Sequence, residues 1–169
     1  MTNSLLFDFT ADKTTNTISV TREFAAELSL VWDAFTKAEL IDQWGAPEPW
    51  TVKTKHMDFK VGGRRFFAMC NLEGQEQHWS TQDFTSISPK TNFKYLSGFA
   101  DKDGNTHPEF SGSENNLDFS EVHGVTTVSI TIKYKTAAIL EMMIEKGFRE
   151  GFTMTLDNLE KLLATLSRK

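Results

Sequence analysis

The sequence predicts an α+β fold in which a seven-stranded antiparallel sheet wraps around one long carboxyl-terminal helix, with two short helices after the first strand. Three observations predict it. Apolar residues recur with a period of two along most of the chain, which is typical of half-buried strands. Clusters of turn-forming residues separate these segments. Near the carboxyl end the period becomes helical, and a twisted sheet closed over that helix would bury both apolar faces.

The first clear strand follows a polar stretch near the amino terminus. Ile18, Val20 and Phe24 alternate with polar residues, whereas residues 10–16 have the composition of a loop. We therefore expect an amino-terminal arm over residues 1–16 and a single domain over residues 17–169. Apolar and polar residues also alternate over residues 7–9 of the arm, but this short pattern does not decide whether the arm pairs with the sheet.

Two short helices are predicted after this strand. Ser29 is a typical helix N-cap, and the residues after it are apolar at helical spacing. Thr36 and Glu39 have the spacing of a capping box, in which each side chain binds a backbone amide of the other residue. A second helix is therefore expected from this point, and Gly45 is expected to end it.

The middle of the chain, between Trp50 and Tyr134, divides into six predicted strands. Five clusters of turn-forming residues separate them: Gly62-Gly63, Glu73-Gly74, Ser88-Pro89, residues 101–105 and His123-Gly124. The last strand is the clearest, because Val128, Ile130 and Ile132 alternate with polar residues. Neighbouring strands joined by such short turns form an antiparallel meander.

One long helix is predicted from Ala138 to Leu166. Its apolar stripe includes Gly147 and Gly151, and each glycine costs about 1 kcal/mol relative to alanine inside a helix. Two compatible explanations stay open. The glycines permit close packing against the sheet or a kink, or they leave space for a ligand beneath the helix.

The composition excludes several classes of protein. The 169 residues include 18 Lys and Arg against 23 Asp and Glu, a net charge of -5 that does not favour nucleic-acid binding. The lone Cys70 excludes an internal disulfide, and the four histidines have no metal-ligand spacing. No apolar run is long enough to span a membrane. We expect a cytoplasmic protein, a monomer or weak dimer, with no cofactor, metal, nucleic-acid or membrane partner.

Aromatic and methionine side chains dominate the candidate functional residues. The chain has 14 Phe but 2 Tyr, which predicts a mainly apolar binding site with a few orienting polar groups. The predicted ligand-binding residues are Arg65, Phe67, Met69, Trp79, Thr81, Asp83, Tyr95, Phe99, Phe119, Met143, Phe148 and Phe152.

The polar candidates each have two interpretations. Arg65 could bind an anionic ligand head or form a surface ion pair. Asp83 or His78 could act as a general base, because burial of a carboxyl group raises its pKa. The alternative for Asp83 is a salt bridge or a solvent-facing position, and this alternative is favoured. No catalytic residue is therefore assigned.

Segments spread over most of the chain resemble one known family. They are Thr21–Phe24, Val31–Thr36, Leu40–Trp44, Asp58–Gly63 with Phe67 and Met69, Gly124–Val128, Gly147–Gly151, and the leucines at 156, 159, 162 and 163. In order and spacing they resemble the activator of heat-shock-protein-ninety ATPase homologue-like family of the START/birch-pollen-allergen (SRPBCC) superfamily. The resemblance covers roughly residues 17–166 and implies the helix-grip fold.

The resemblance implies a cavity between the sheet and the carboxyl-terminal helix, which in this superfamily often holds an apolar small molecule. We therefore expect a protein that binds an apolar or amphipathic, lipid-like or aromatic ligand. Two alternatives stay open because fold alone does not select a function. One is an interaction domain that modulates a chaperone ATPase, and the other is a cyclase or hydrolase that uses Asp83 or His78 as base.

Overall fold

The structure is a computed structural model that describes residues 5–167, without the side chains of residues 107–111. In this part of the chain there are eight strands: β1 (Phe7–Asp12), β2 (Thr17–Phe24), β3 (Thr51–Met57), β4 (Arg64–Cys70), β5 (Glu76–Ser88), β6 (Asn92–Ala100), β7 (Thr106–Val122) and β8 (Val125–Lys133). The helices are α1 (Leu28–Thr36), α2 (Ala38–Trp44), α3 (Ala137–Glu145) and α4 (Phe148–Ser167). The strands form an antiparallel sheet in the order β1-β2-β8-β7-β6-β5-β4-β3.

The predicted number of seven strands is wrong, because the arm contributes an additional strand. β1 pairs with β2, with Phe7 opposite Arg22 and Phe9 opposite Val20. Without β1, the backbone groups on one side of β2 would be an unpaired sheet edge, and pairing satisfies them. The six strands expected between Trp50 and Tyr134 are confirmed as β3 to β8.

The long carboxyl-terminal helix is interrupted at Gly147, so the prediction of one continuous helix is wrong. Gly147 has a φ of 89°, a left-handed conformation that glycine adopts without the steric cost of a side chain. α3 ends just before this residue and α4 begins just after it. Gly151 lies inside α4, where an added Cβ would be 3.7 Å from Cγ of Pro47 in the loop after α2.

The helix starts also differ from the predicted caps. α1 begins after Glu27 and α2 begins after Lys37, and neither cap residue makes a side-chain capping hydrogen bond. The hydroxyl of Thr36 donates instead to the carbonyl of Trp32 at 2.8 Å. A hydroxyl bonded to the preceding helical turn is not available to cap the next helix.

Contacts on three sides hold α4 against the sheet. Leu156, Leu159 and Leu163 are buried in the core. On one flank, Nη1 of Arg22 in β2 lies 2.8 Å from Oδ1 of Asp157. On the other flank, the amide of Asn158 donates to the carbonyl of Ala46, and the sulfur of Met154 accepts from the amide of Glu48. Among the described residues, no helix is long and apolar enough to cross a bilayer.

We call the face of the sheet that carries the core residues the inner face. Across five strands, directly opposed residues define it: Ile18, Ile132, Asn115, Tyr95 and Phe84. Because side chains alternate along each strand, residues two positions away share this face. The opposite side is the outer face.

Candidate functional site

A row of polar side chains crosses the inner face of the sheet next to the core. Arg65 in β4 is opposite Gln82 in β5, and Gln82 is opposite Ser97 in β6. The hydroxyl of Ser97 lies 2.9 Å from that of Ser113 in β7. We call Arg65, Gln82, Ser97 and Ser113 the polar row. Polar groups on an inner face need partners, because burial without a hydrogen bond is unfavourable.

Arg65 is the charged member of the row, and it is 3% exposed. Its Nε donates to Oγ1 of Thr54 at 3.1 Å, and its guanidinium lies 3.9 Å from the ring centroid of Phe67. The nearest carboxylate is Asp42 on α2, with Oδ1 3.6 Å from Nη2, which is too long for a hydrogen bond. Burial lowers the pKa of Arg65 to about 10, and the charge of Asp42 opposes this shift.

Two tyrosines flank the polar row. Tyr95 lies two residues before Ser97 in β6, and Tyr134 directly follows β8, three residues before the start of α3. Burial raises the pKa of Tyr95 to about 12, although the positive charge of Arg65 acts in the opposite direction. Burial also raises the pKa of Tyr134 to about 12, and the neighbouring Tyr95 adds to this shift. Both hydroxyls therefore stay protonated at neutral pH.

Several of these polar groups have no partner within the described part of the protein. Nη2 of Arg65 is buried without a hydrogen bond, as are Nη1 of Arg22 in β2 and Oγ1 of Thr81 in β5. The side chains of Gln82, Tyr95 and Tyr134 also make no hydrogen bond to described residues. A fully buried polar atom such as Nη2 of Arg65 is nearly always bonded in folded proteins to protein, ordered water or a ligand. The inner face therefore has an unused set of donors and acceptors at this position.

The polar row lies next to aromatic side chains predicted as ligand-binding residues. On the inner face, alternation places Phe67 and Met69 beside Arg65, and Phe99 beside Ser97. Phe67 and Met69 are partly buried, whereas the side chain of Phe99 is 47% exposed. Together with Tyr95, these residues bring five of the twelve predicted positions to one part of the sheet.

The other apolar predicted positions lie nearer the core. Phe148 and Phe152 stack in the first turns of α4, with ring centroids 5.3 Å apart, and Met143 of α3 is partly buried against the core. Phe119 is 5% exposed and packs edge-to-face against Trp32 at 5.0 Å. Phe119 is thus a core residue, whereas Phe148 and Phe152 remain partly accessible.

Three predicted ligand-binding residues lie on the outer face. Trp79, Thr81 and Asp83 alternate with Gln82 and Phe84 along β5, so they point away from the polar row. Asp83 pairs with Arg64, its neighbour across the sheet. This is the salt bridge that the sequence left open as the alternative for Asp83, and it raises the pKa of Arg64.

His78 lies on the opposite face of β5 from Asp83. Its ring is exposed, and its centroid lies 5.6 Å from that of Trp50. Two groups that act together on a substrate must converge on one site. Asp83 and His78 do not converge, so this arrangement gives an acid–base mechanism no support.

Two open surface depressions lie outside the polar row, and the first is lined in part by Asp42, the neighbour of Arg65. The first, of about 410 Å³, lies between α2, the start of β3 and the second half of α4, and is lined by residues such as Trp50, Val52 and Leu162. The second, of about 500 Å³, lies between the start of α1 and the end of α4. Neither is lined by any of the twelve predicted ligand-binding residues.

The sequence analysis did not select Gln82, Ser97, Ser113 and Tyr134 as site residues. A signal for part of the row was present, because Ser97 shares a face with Phe93, Tyr95 and Phe99 by alternation. For Gln82, the deciding fact is that Phe84 belongs to the core. Alternation groups Gln82 with Phe84, but by itself it does not say which face of β5 is buried.

Together, the sheet closed over α4 and the polar row on its inner face define an α+β protein consistent with the helix-grip fold. A protein from Staphylococcus epidermidis, solved in solution, is 32% identical with a TM-score of 0.81, and the match covers 92% of this chain and 94% of that one. Protein Ms6760 from Mycobacterium smegmatis is 24% identical with a TM-score of 0.85, covering 96% and 99%. A protein from Arthrobacter aurescens is 21% identical, also at 0.85, covering 94% and 91%.

The family model described as Activator of Hsp90 ATPase homolog 1-like protein matches residues 25–164. The chain belongs to this family, which confirms the resemblance inferred from its sequence motifs. None of the curated proteins compared with the chain matches it. The Mycobacterium and Arthrobacter structures, at 24% and 21% identity, support the fold alone.

Proposed function

We propose that this protein binds an amphipathic small molecule on the inner face of its sheet, between the polar row and α4. The observation that supports this most strongly is a set of polar groups that make no hydrogen bond to described residues: Nη2 of Arg65 and the side-chain polar groups of Gln82, Tyr95 and Tyr134. Ligand sites combine an apolar wall with a few polar groups that fix orientation. The inner face offers both elements side by side.

The apolar part of the ligand would contact the aromatic residues next to the row. Phe67 and Phe99 flank it on the sheet, and Phe148 and Phe152 are partly accessible on α4. Their planar rings suit an alkyl chain or an aromatic ring system. Met143 in α3 supports the same interpretation, because a thioether side chain adapts to irregular shapes.

Binding is favoured over catalysis by the positions of the two candidate bases. Asp83 is on the outer face and paired with Arg64, and His78 is exposed on the other side of the same strand. A general base must lie within hydrogen-bond reach of the proton it removes, in a site that also holds the substrate. The polar row supplies donors and acceptors for orientation instead.

Native mass spectrometry of the gently purified protein, followed by amide chemical-shift titration, tests the proposal. We expect a copurifying small molecule, or saturable shifts of the Gln82 side-chain amide and its neighbours with fatty acids, sterols or aromatic polyketides. Finding neither a bound molecule nor any shift with these three classes of probe would overturn the proposal.

A matched pair of variants locates the binding site. Gln82→Leu removes an inner-face amide and is expected to weaken binding about tenfold, in line with the loss of one or two buried hydrogen bonds. Gln77→Leu makes the same change at an exposed position of β5 and should leave affinity unchanged. Equal effects of the two substitutions would place the ligand elsewhere.

The description of the family refers to activation of a chaperone ATPase, and this is the alternative function for the chain. An ATPase assay with the cognate chaperone and this protein alone separates the two functions. We expect no stimulation at saturating protein. Stimulation that survives Gln82→Leu would favour an interaction surface over the inner-face site.

A further inference from the structure

We infer that the polar end of the ligand is a carboxylate, held by the terminal nitrogens of Arg65. This inference rests on the proposed function, because it specifies what the inner-face site recognises. It is carried by a buried guanidinium whose Nη2 makes no hydrogen bond to described residues and lies 3.6 Å from its nearest carboxylate oxygen, on Asp42. The ligand class is therefore an amphipathic acid with an alkyl or aromatic body.

Among the hydrogen bonds to described residues, the Arg65 guanidinium uses only Nε. Nε donates to Oγ1 of Thr54, which fixes the side chain at its inner edge. The ring of Phe67 lies against the guanidinium plane at 3.9 Å and supports its orientation. The two terminal nitrogens form a planar fork, and such a fork matches the two oxygens of a carboxylate.

Asp42 balances part of the charge of Arg65 but does not satisfy its donors. Its two carboxylate oxygens accept from the backbone amide of Thr54 at 2.9 Å and from the hydroxyl of Thr54 at 2.6 Å. These bonds hold Asp42 on the Thr54 side, so Nη2 of Arg65 stays 3.6 Å away. A second anion could therefore bind Arg65 without displacing Asp42 from Thr54.

The neighbouring groups of the row suit the same ligand end. The amide of Gln82 and the hydroxyls of Tyr95 and Tyr134 can each donate a hydrogen bond, and none of them bonds a described residue. Asp42 of α2 is the carboxylate next to Arg65, and the strand positions around this stretch are Arg65, Phe67, Gln82, Ser97 and Tyr95, none of them acidic. The site is thus rich in donors, which favours an acceptor-only group such as a carboxylate.

Four probes test the inference: dodecanoate and its methyl ester, and naphthoate and its amide. Calorimetric or chemical-shift titrations should give at least about tenfold tighter binding of each acid than of its neutral counterpart, since charge-assisted hydrogen bonds are stronger than neutral ones. Arg65→Met should abolish this preference. Equal affinity of acids and neutral probes for the unchanged protein would overturn the inference and leave the proposed function standing.

Arg64→Met is the matched control for Arg65→Met. It removes the same charge from the adjacent residue, but Arg64 lies on the outer face and pairs with Asp83. The acid preference should survive Arg64→Met. If both substitutions reduce it equally, general electrostatic attraction explains the preference, and the inference is wrong. If no probe of either kind binds the unchanged protein, the inference is wrong, and the search for a copurifying molecule and the sterol and polyketide titrations decide the proposed function.

Asp42→Asn gives a test in the opposite direction that keeps Arg65 in place. Removing the neighbouring negative charge should strengthen acid binding severalfold and leave the binding of the ester and the amide unchanged. Arg65→Lys keeps the charge but loses the planar fork, so it should retain part of the preference. A weaker acid preference in Asp42→Asn would contradict the role assigned to Arg65.

Discussion

Two buried arginines on the inner face differ in how their charges are matched. Arg22 in β2 is 8% exposed, lies 2.8 Å from Asp157, and donates to Glu160 at 3.3 Å. Arg65 in β4 is 3% exposed, and its nearest carboxylate is 3.6 Å away. Arg22 therefore forms ion pairs with two carboxylates of α4, although its Nη1 makes no hydrogen bond, whereas Nη2 of Arg65 has one more distant carboxylate and no hydrogen bond.

The difference separates what the fold requires from what a ligand site requires. Arg22 also lies over the rings of Phe7 and Phe24, so it joins β1, β2 and α4. Removing one partner of a buried ion pair is destabilising, whereas a buried charge whose partner is too distant for a hydrogen bond recovers less of its desolvation cost. With Arg65 at this position the unbound protein is less stable than it would be with an apolar residue, and a bound carboxylate would offset this loss of stability.

The largest expected effect is a contrast in stability between Arg22→Met and Arg65→Met. Arg22→Met should lower the free energy of unfolding by about 2–3 kcal/mol, because it removes the hydrogen bond to Glu160, the ion pair with Asp157 and two cation–π contacts. Arg65→Met should change it by less than about 1 kcal/mol, because it also removes a desolvation cost. Urea unfolding followed by circular dichroism measures both.

The complementary measurement is ligand affinity. Here Arg65→Met should have the larger effect and Arg22→Met the smaller one. Arg22→Met should keep its preference for dodecanoate over the methyl ester at temperatures where the variant is folded. An Arg65→Met variant as unstable as Arg22→Met would show that Arg65, too, mainly supports the fold, and would remove the distinction between the two sites.

The environment of Arg65 can be examined through the two tyrosines, which are the only ones in the sequence. Burial raises the pKa values of Tyr95 and Tyr134 to about 12. The folded protein should therefore show little phenolate absorbance at pH 10–11, and unfolding in urea should return the midpoint to about 10. Because the folded-state pKa values are raised, their contribution to stability is complete below pH 10 and is lost as the pH rises towards 12.

Tyr95→Phe sharpens this test. This substitution should halve the change in phenolate absorbance when the unfolded protein is titrated. In the folded protein, the titration midpoint of Tyr134 should stay high. A midpoint near 10 in the folded protein would mean that water reaches both hydroxyls. The region around Arg65 would then be hydrated, and it would differ less from the packed core in its access to water than the structure implies.

Much of the fold could be predicted because its signals are local. The strands between Trp50 and Tyr134 follow from period-two patterns and turn residues within a few positions of each other. β1 could not be predicted, because the alternating pattern of Phe7 and Phe9 is too short and the pairing of this strand depends on the distant β2. The break at Gly147 was hidden because the apolar stripe continues across it, and a sequence does not show the sign of φ.

The candidate site was less predictable for a related reason. Arg65, Phe67 and Tyr95 were selected from residue type and alternation, and they do lie on the inner face. Gln82 and Ser113 were not selected as site residues, because a polar residue in a strand normally faces solvent. Their inward position is set by the strand register, which follows from the packing of neighbouring strands rather than from either residue.

The smallest expected effect concerns the start of α4, the helix that Arg22 fastens. Gly151→Ala should raise the free energy of unfolding by up to about 1 kcal/mol, because the new Cβ would meet Pro47 at an ordinary contact distance of 3.7 Å. Gly147→Ala should lower it by about 1 kcal/mol or more, because a φ of 89° is unfavourable for alanine.

The same pair of variants decides between the two explanations for these glycines. Gly151 faces the loop at Pro47 and not the polar row, so Gly151→Ala should leave the affinity for dodecanoate unchanged while it stabilises the helix. Unchanged affinity together with higher stability would assign Gly151 to helix packing. If the alanine instead weakens binding, the ligand extends under α4 beyond the Arg65 region, and the glycine is there to make space for it.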